Sequence, residues 1–220
     1  MDPLLVIGNK NYSSWSLRPW LLLRAFEVPF EERRLALGSD EFHREIARFS
    51  PSGRVPVLHH QGRVIWDSLA IVEYVNEVFL DGRGWPVDLD ARTLARCASA
   101  EMHSGFTDLR TQLPMNCGRD PSASTYRWDA NAQRDIERVQ QLWRELRGRA
   151  SGGPFLCGSF GIVDAMFAPV AVRFRGYAVD MDATAQAYCA AIEALPAMQD
   201  WRREAAAESE RLAKYESLGQ

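Results

Sequence analysis

The chain is poor in the residues that mark several functional classes. Its four cysteines form no CxxC pair, and no histidine lies at metal-ligand spacing from them, so the sequence predicts no metal site and no dithiol site. We expect the cysteines to be small core residues instead. Lysine is scarce, and the net charge of -3 at pH 7 provides no basic surface of the kind that binds nucleic acid.

Long hydrophobic segments are absent as well. The apolar run Leu4 to Ile7 is far too short to span a bilayer, and Met1-Asp2-Pro3 lacks the basic flank of a signal peptide. We therefore expect a cytoplasmic protein with reduced thiols and no membrane partner. Of its 220 residues, 46% are hydrophobic, which is enough for the core of one large domain or two small ones.

Strand signals are confined to the first part of the chain, where they alternate with helical ones. The order there is β-α-β-α-β-β-α, and its last two strands form a hairpin joined by residues 60–63. Only helical patterns follow, the first of them one long helix over 91–113. We predict an α/β domain over residues 1–80, a linker over 81–90 and an all-α domain over 91–220.

Two short segments of the α/β part carry chemical information. Pro56 lies within what the pattern predicts to be a short strand, where proline needs an edge position, a bulge or a cis peptide because it cannot donate to the ladder. A cis bond would leave the backbone of Val55 free to pair with a peptide-like ligand. Asp67 and Ser68 then open an apolar helix, where they can cap it or hold a charged ligand beside free N–H groups. Together these segments suggest a glutathione site.

A serine-rich loop precedes the first helix. Pro19 is tolerated only in a first helical turn, so the helix is expected to begin near residues 15–17. Ser13 and Ser14 then lie at its N-terminal mouth, as N-cap residues or as donors to a ligand.

With these motifs in order over the whole chain, the sequence resembles the cytosolic glutathione transferases. Residues 13–18 are similar to the serine-type loop of the zeta and tau classes. The resemblance implies a thioredoxin-like N-terminal domain, an all-α helical bundle after it, a glutathione transferase fold and a homodimer. It places the catalytic hydroxyl at Ser13, with Ser14 next and Ser16 third. A serine hydroxyl would donate to the sulfur and favour the thiolate, which is the nucleophile.

The resemblance also implies partners for the rest of glutathione. Val55, before Pro56, would hold the cysteinyl backbone, and Arg54 would reach the glycyl carboxylate. Asp67 would face the γ-glutamyl ammonium, and Ser68 would bind the γ-glutamyl carboxylate. The electrophile pocket is expected between the domains, lined by Tyr12, Trp15, His103, Phe106 and Tyr177.

Plainer interpretations stay open for individual residues. Pro56 could be a trans edge proline, Asp67 a cap, Arg54 a solvated charge and His103 a packed or surface side chain. The sequence also departs from the family at Gly161, where Ser or Thr normally caps the helix that contains Asp164.

Function is predicted to be transfer of glutathione to a small electrophile, as in detoxification. Alternatives are a maleylacetoacetate isomerase-like enzyme, a glutathione-dependent peroxidase, or a non-catalytic interaction module. Trp15 stands where zeta-class isomerases usually have cysteine, and no cysteine precedes Cys97. This argues against a mixed disulfide on the protein and weakens the isomerase hypothesis.

Overall fold

The computed structural model describes residues 2–121 and 126–216. The first part contains the strands and three helices: β1 (Leu4–Ile7), α1 (Ser14–Ala25), β2 (Glu31–Arg34), α2 (Asp40–Phe49), β3 (Val57–His60), β4 (Arg63–Trp66) and α3 (Ser68–Val78). Helices follow: α4 (Leu89–Ser104), α5 (Thr107–Gln112), α6 (Ala130–Arg149), α7 (Ile162–Gly176), α8 (Ala183–Ala194), α9 (Pro196–Ala206) and α10 (Ala213–Glu216). The predicted fold class, α/β followed by all-α, is confirmed.

The four strands form one mixed sheet in the order β2-β1-β3-β4. β1 runs parallel to β2 and antiparallel to β3, and β3 and β4 form the predicted antiparallel hairpin. The sequence predicted that Pro56 lies within a strand, but β3 begins at Val57, directly after it. The edge strand β2 consists of four exposed charged residues, a composition that discourages pairing with another chain.

The hydrophobic core is continuous between the sheet layer and the helices. α1 packs against both α3 and α7, and one cluster of buried residues includes Leu17 of α1, Val72 of α3 and Phe167 of α7. Nearly every residue of α7 is buried. The N-terminus of α1 is therefore held against α7, and this contact positions the site described below.

Two predictions about the helices are wrong. The helix expected over 91–113 is divided into α4 and α5, because Phe106 adopts a left-handed conformation with φ of 56°. The helix expected to begin near residues 15–17 begins at Ser14, so Pro19 lies in the second turn of α1 and not in the first. The carbonyl of Trp15 therefore has no N–H partner four residues later.

The cysteines are not uniformly core residues. Cys189 is buried, Cys117 and Cys157 are half-buried and Cys97 is exposed; all four are free thiols. Within residues 2–121 and 126–216, no helix has the length and apolarity that crossing a membrane requires. In the same part of the chain, no three His, Cys, Asp or Glu side chains come together as a metal site would need.

Candidate functional site

The two serines at the start of α1 have different partners. The hydroxyl of Ser13 accepts from the backbone N–H of Ser16 at 3.4 Å and donates to Oγ of Ser16 at 2.7 Å. Oγ of Ser16 in turn accepts from the backbone N–H of Gly8 at 3.1 Å. The single proton of the Ser13 hydroxyl is thus used inside the loop, and Ser13 caps the helix.

Ser14 is paired with a cation from the other part of the chain. Nη2 of Arg173, on α7, donates to Oγ of Ser14 at 3.2 Å. Because a guanidinium group has no acceptor, the serine oxygen is the acceptor and its own O–H proton stays available. Ser14 is also the first residue of α1, where the helix dipole favours negative charge.

A cavity of about 460 Å³ opens in front of these serines. The α/β part and the helical part each contribute one side of it. The α/β part supplies Tyr12, Ser13, Ser14, Trp15, Leu37, Phe42, Gly53, Arg54 and Val55; the helical part supplies Thr107, Arg110, Thr111, Pro114, Met115, Arg173 and Tyr215. Such a pocket, with aromatic, hydroxyl and guanidinium groups converging on it, has the form of a small-molecule site.

Arg54 and Val55 reach the cavity from the turn before β3. The peptide bond between Val55 and Pro56 is cis, one of the three arrangements that the sequence left open. Arg54 is exposed and Val55 is half-buried, whereas Pro56 is buried and does not line the cavity.

Asp67 and Ser68 lie outside the lining of this cavity. Asp67 caps α3 by accepting from the N–H of Leu69 at 2.9 Å, in a conformation with φ of 76°. Its other oxygen, Oδ2, lies 3.2 Å from Nε2 of His103. Oγ of the buried Ser68 lies 3.4 Å from Nη1 of Arg18.

Trp15 lies between the cavity and the partners of Asp67 and Ser68. The guanidinium carbon of Arg18 lies 4.3 Å from the centre of the indole ring, and that of Arg110 lies 5.4 Å from it. The ring of His103 meets the indole edge-on at 5.4 Å. Cations above an indole ring are attracted by its quadrupole. Trp15 therefore stands among three side chains, two of which also contact Asp67 or Ser68.

Burial lowers the pKa of Arg18 and of Arg173. It lowers the pKa of Arg18 to about 9, with repulsion from Arg173 and Arg110 adding to the effect. It lowers the pKa of Arg173 to about 10, with Arg110 again adding repulsion. Each of the two side chains remains a cation at neutral pH, and each lies in surroundings where positive charge is costly.

The five residues expected to line the electrophile pocket are not all brought together. Tyr12 and Trp15 line the cavity, and Tyr12 also stacks on Tyr215 and donates its hydroxyl proton to Glu216. The other three are outside the cavity lining. His103 pairs with Asp67, Phe106 is buried in the core, and Tyr177 is buried with its hydroxyl donating to the carbonyl of Pro114.

The main residues that the sequence did not indicate are Arg110 and Arg173. Arg173 carried a usable signal, because it directly follows the apolar run 165–172 of α7, and a charged side chain is rarely fully buried unless it is paired. Arg18 in α1, between apolar neighbours, carried a similar signal. Arg110, on a short polar helix, carried none.

Comparisons with known proteins agree on one family. Residues 12–78 match the family model "Glutathione S-transferase, N-terminal domain" and residues 129–204 match "Glutathione S-transferase, C-terminal domain". Glutathione S-transferase 1 of Dianthus caryophyllus is 28% identical over 170 residues, which are 76% of each chain. A probable maleylacetoacetate isomerase of Caenorhabditis elegans is 33% identical over 107 residues, 49% of each chain.

A solved structure shares the fold over almost the whole length. The glutathione-bound glutathione transferase homologue from Burkholderia GL BGR1 superposes with a TM-score of 0.71, covers 94% of this chain and 100% of its own, and is 22% identical. The four-stranded sheet with its helices is therefore the thioredoxin-like domain of that fold. The matches to both domain models, in the expected order along one chain, show that this protein belongs to the glutathione S-transferase family.

Proposed function

We propose that the protein is a glutathione transferase that binds glutathione in the cavity before α1 and activates its thiol there. Glutathione would react as the thiolate with a small electrophilic molecule. The observation that carries the proposal is the contact of Arg173 with Ser14. It leaves the proton of a serine hydroxyl at a helix N-terminus available to a ligand in the cavity.

The thiol must lose its proton before it can attack. A free cysteine thiol has a pKa near 8.5, so only a few per cent is thiolate at pH 7. Lowering that pKa by about two units would make most of it thiolate, and this requires about 2.7 kcal/mol of differential stabilisation. Ser14 would contribute a hydrogen bond to the sulfur, and Arg173 and the α1 dipole would contribute positive potential.

Ser14 rather than Ser13 is the donor in this proposal, although the sequence ranked Ser13 first. The Ser13 proton already has an acceptor in Oγ of Ser16, whereas Ser14 accepts from Arg173. Serine is not a general base here. It donates a hydrogen bond to the developing thiolate, and the sulfur of glutathione is the nucleophile.

The rest of the tripeptide would extend away from the serine. The Val55 backbone would pair with the cysteinyl residue in the manner of strand addition, and Arg54 would bind the glycyl carboxylate. Asp67 would face the γ-glutamyl ammonium and Ser68 its carboxylate. We propose domain limits of 1–80 and 91–220, a cytoplasmic location and a homodimeric assembly on the family resemblance.

A second candidate is glutathione-dependent isomerisation. It is favoured by the C. elegans relative, whose name describes a maleylacetoacetate isomerase. The same thiolate would add to a cis double bond and leave again after rotation, so both candidates need the same Ser14 donor.

A thermal melt of the full chain against glutathione tests the proposal first. A ligand that binds only the folded state stabilises it, by about 2.7 kcal/mol at one hundred times Kd. We expect a dose-dependent rise in Tm that Asp67→Ala weakens, followed by turnover of an electrophile or a cis-enone. A peroxidase would instead turn over hydroperoxides. Binding without any turnover would indicate a non-catalytic module, and no rise at millimolar glutathione would refute the proposal.

A further inference from the structure

The backbone before the two serines forms a tight, buried turn. The carbonyl of Asn9 accepts from the N–H groups of Tyr12 and Ser13, at 3.2 and 2.8 Å. Asn9, Lys10 and Asn11 are all buried. Because a buried N–H group needs an acceptor, those of Lys10 and Asn11 must find one outside the turn.

A single carboxylate accepts both of these N–H groups. Oε1 of Glu208 lies 2.7 Å from the nitrogen of Lys10, and Oε2 lies 3.1 Å from that of Asn11. Successive N–H groups in a turn can form a concave site for an anion, and here the anion is a side chain that is itself 8% exposed. Without Glu208, both groups would lack an acceptor within residues 2–121 and 126–216, and a buried N–H without an acceptor is costly.

Glu208 belongs to a segment after α9, residues 208–216, that contacts three successive residues of the turn. Besides the two contacts of Glu208, the N–H of Leu212 donates to the hydroxyl of Tyr12 at 3.4 Å. The ring of Tyr215 stacks on that of Tyr12, with the ring centres 5.2 Å apart. α9, which precedes the segment, packs against α1. The far end of the chain therefore fixes the turn that leads into α1.

The turn continues directly into the residue proposed to activate the thiol. The N–H of Ser14 donates to the carbonyl of Tyr12 at 3.0 Å, and its hydroxyl accepts from Arg173. Arg173 thus contacts the side chain of Ser14, whereas Glu208 binds the backbone that leads into it. Since hydrogen bonds join residues 9–14 to one another, a shift of the turn would move the Ser14 hydroxyl relative to Arg173 and the cavity.

We propose that Glu208 is a positioning residue of this enzyme, which holds the turn before α1 so that the Ser14 hydroxyl faces the thiol. The inference rests on the proposed function, in which that hydroxyl donates to the sulfur of glutathione. Glu208 does not line the cavity. It acts through the backbone of Lys10 and Asn11, and its own charge takes no part in ionising the thiol.

The sign of one measured shift separates positioning from a direct effect of charge. A carboxylate disfavours a nearby thiolate, so loss of its charge alone would lower the pKa of the bound thiol. Release of the turn weakens the Ser14 donor and would raise that pKa. We expect Glu208→Gln, which keeps one acceptor oxygen, to raise the pKa by up to about one pH unit. Ultraviolet difference spectroscopy of glutathione bound to the full chain measures it.

Two further variants complete the comparison. Glu210→Gln removes the same charge from a carboxylate that also pairs with Arg34 but, in the part of the chain that the structure describes, does not bind the turn; its thiol pKa should not exceed that of the wild type. Glu208→Asp keeps the charge on a shorter side chain, so a rise in its thiol pKa reports the turn. A fall or no change in Glu208→Gln would overturn the proposal, as would an equal rise in Glu210→Gln.

Amide hydrogen exchange without glutathione separates this inference from the proposed function. We expect the N–H groups of Ser13 and Ser14 to exchange at least about tenfold faster in Glu208→Gln than in the wild type, because opening of the turn exposes them to water. In Glu210→Gln their rates should stay the same, and amides of α4 should exchange alike in all three proteins.

That result supports the role of Glu208 even if glutathione does not bind. Unchanged exchange at Ser13 and Ser14 in Glu208→Gln refutes it, whatever the outcome with glutathione. Equally faster exchange in α4 also refutes it, because the carboxylate would then stabilise the whole protein and not the turn in particular.

Discussion

Nε2 of His103 lies 3.2 Å from Oδ2 of Asp67, and this pair joins α4 of the helical domain to the N-cap of α3. The other oxygen of Asp67 caps α3 through the N–H of Leu69. Asp67 holds a left-handed conformation with φ of 76°, which is uncommon for a residue with a side chain. His103 therefore supports the carboxylate that is proposed to face the glutathione ammonium.

We predict that His103 is neutral at pH 7 and titrates below its ordinary value. Burial lowers the pKa of His103 from 6.5, and Arg18 and Arg110 lower it further, against an opposing attraction from Asp67. NMR titration of the histidine rings should show one resonance with a midpoint below 6.5, and that resonance should be missing in His103→Gln. A midpoint above 6.5 would show that the attraction of Asp67 outweighs burial.

The lowered pKa of His103 also makes the free energy of unfolding depend on pH. As the pH falls below 6.5, the unfolded chain takes up a proton at this histidine before the folded chain does, so the free energy of unfolding falls through that window. The contribution is fully present above 6.5. In His103→Gln, the free energy of unfolding should depend less steeply on pH below 6.5 than in the wild type.

Substitution of Ser13 is expected to affect mainly stability, and substitution of Ser14 mainly catalysis. Ser13→Ala removes an N-cap and should cost about 1 kcal/mol of stability, with kcat/KM for any accepted electrophile reduced less than about tenfold. Ser14→Ala should lower kcat/KM by about a hundredfold, as loss of one donor to a developing anion does elsewhere. Urea unfolding and steady-state kinetics measure the two effects. Greater loss of kcat/KM in Ser13→Ala would assign the thiol to Ser13.

Sequence reasoning succeeded where a feature is local. The loop of Ser13 and Ser14, the proline at 56 and the cap at Asp67 are each set by neighbours in the chain. The structure shows Ser13 and Asp67 as helix caps and the Val55–Pro56 bond as cis, each of them one of the alternatives that the sequence left open. The partner of Ser14 is not local. Arg173 is 159 residues away, and only the packing of α1 against α7 brings the two together.

The division between α4 and α5 shows a different failure. Helical periodicity continues through residues 91–113, but a Cβ atom at position 105 would lie 2.8 Å from the carbonyl oxygen of Glu101. Gly105 permits this approach, and Phe106 then turns with φ of 56°. The turn sets the direction of α5 and so brings Thr107 and Arg110 to the cavity. A single glycine in a helical pattern does not reveal that outcome.

Asp164 should be essential for the stability of the helical domain. Its carboxylate accepts from the backbone N–H groups of Leu156 and Gly161, each at 2.9 Å, and it is wholly buried. Asp164→Ala leaves both donors unsatisfied, so we expect a loss of about 2–4 kcal/mol in urea unfolding. Asp164→Asn has one acceptor oxygen and should lose less. Equal stability of the alanine variant and the wild type would contradict this role.

Arg173 should control the pH at which the bound thiol ionises. Its cation lies beside Ser14, and a nearby positive charge favours the thiolate. Arg173→Gln removes that charge, so the thiol pKa should rise. The acid limb of the pH profile of kcat/KM should move up by about one pH unit.

Arg173→Lys keeps the charge but not the fork that joins Leu113, Pro169 and Ser14. We expect its acid limb to lie between those of the wild type and Arg173→Gln. Because Arg173 is buried, each variant must first match the wild type in circular dichroism and bind glutathione.

A double-mutant cycle then distinguishes positioning from a purely electrostatic role. If Arg173 acts by orienting the Ser14 hydroxyl, Ser14→Ala should remove most of the effect of Arg173→Gln on kcat/KM, because the two side chains work as one unit. If the effects of the two substitutions multiply independently, Arg173 supplies potential to the thiolate and does not position the serine.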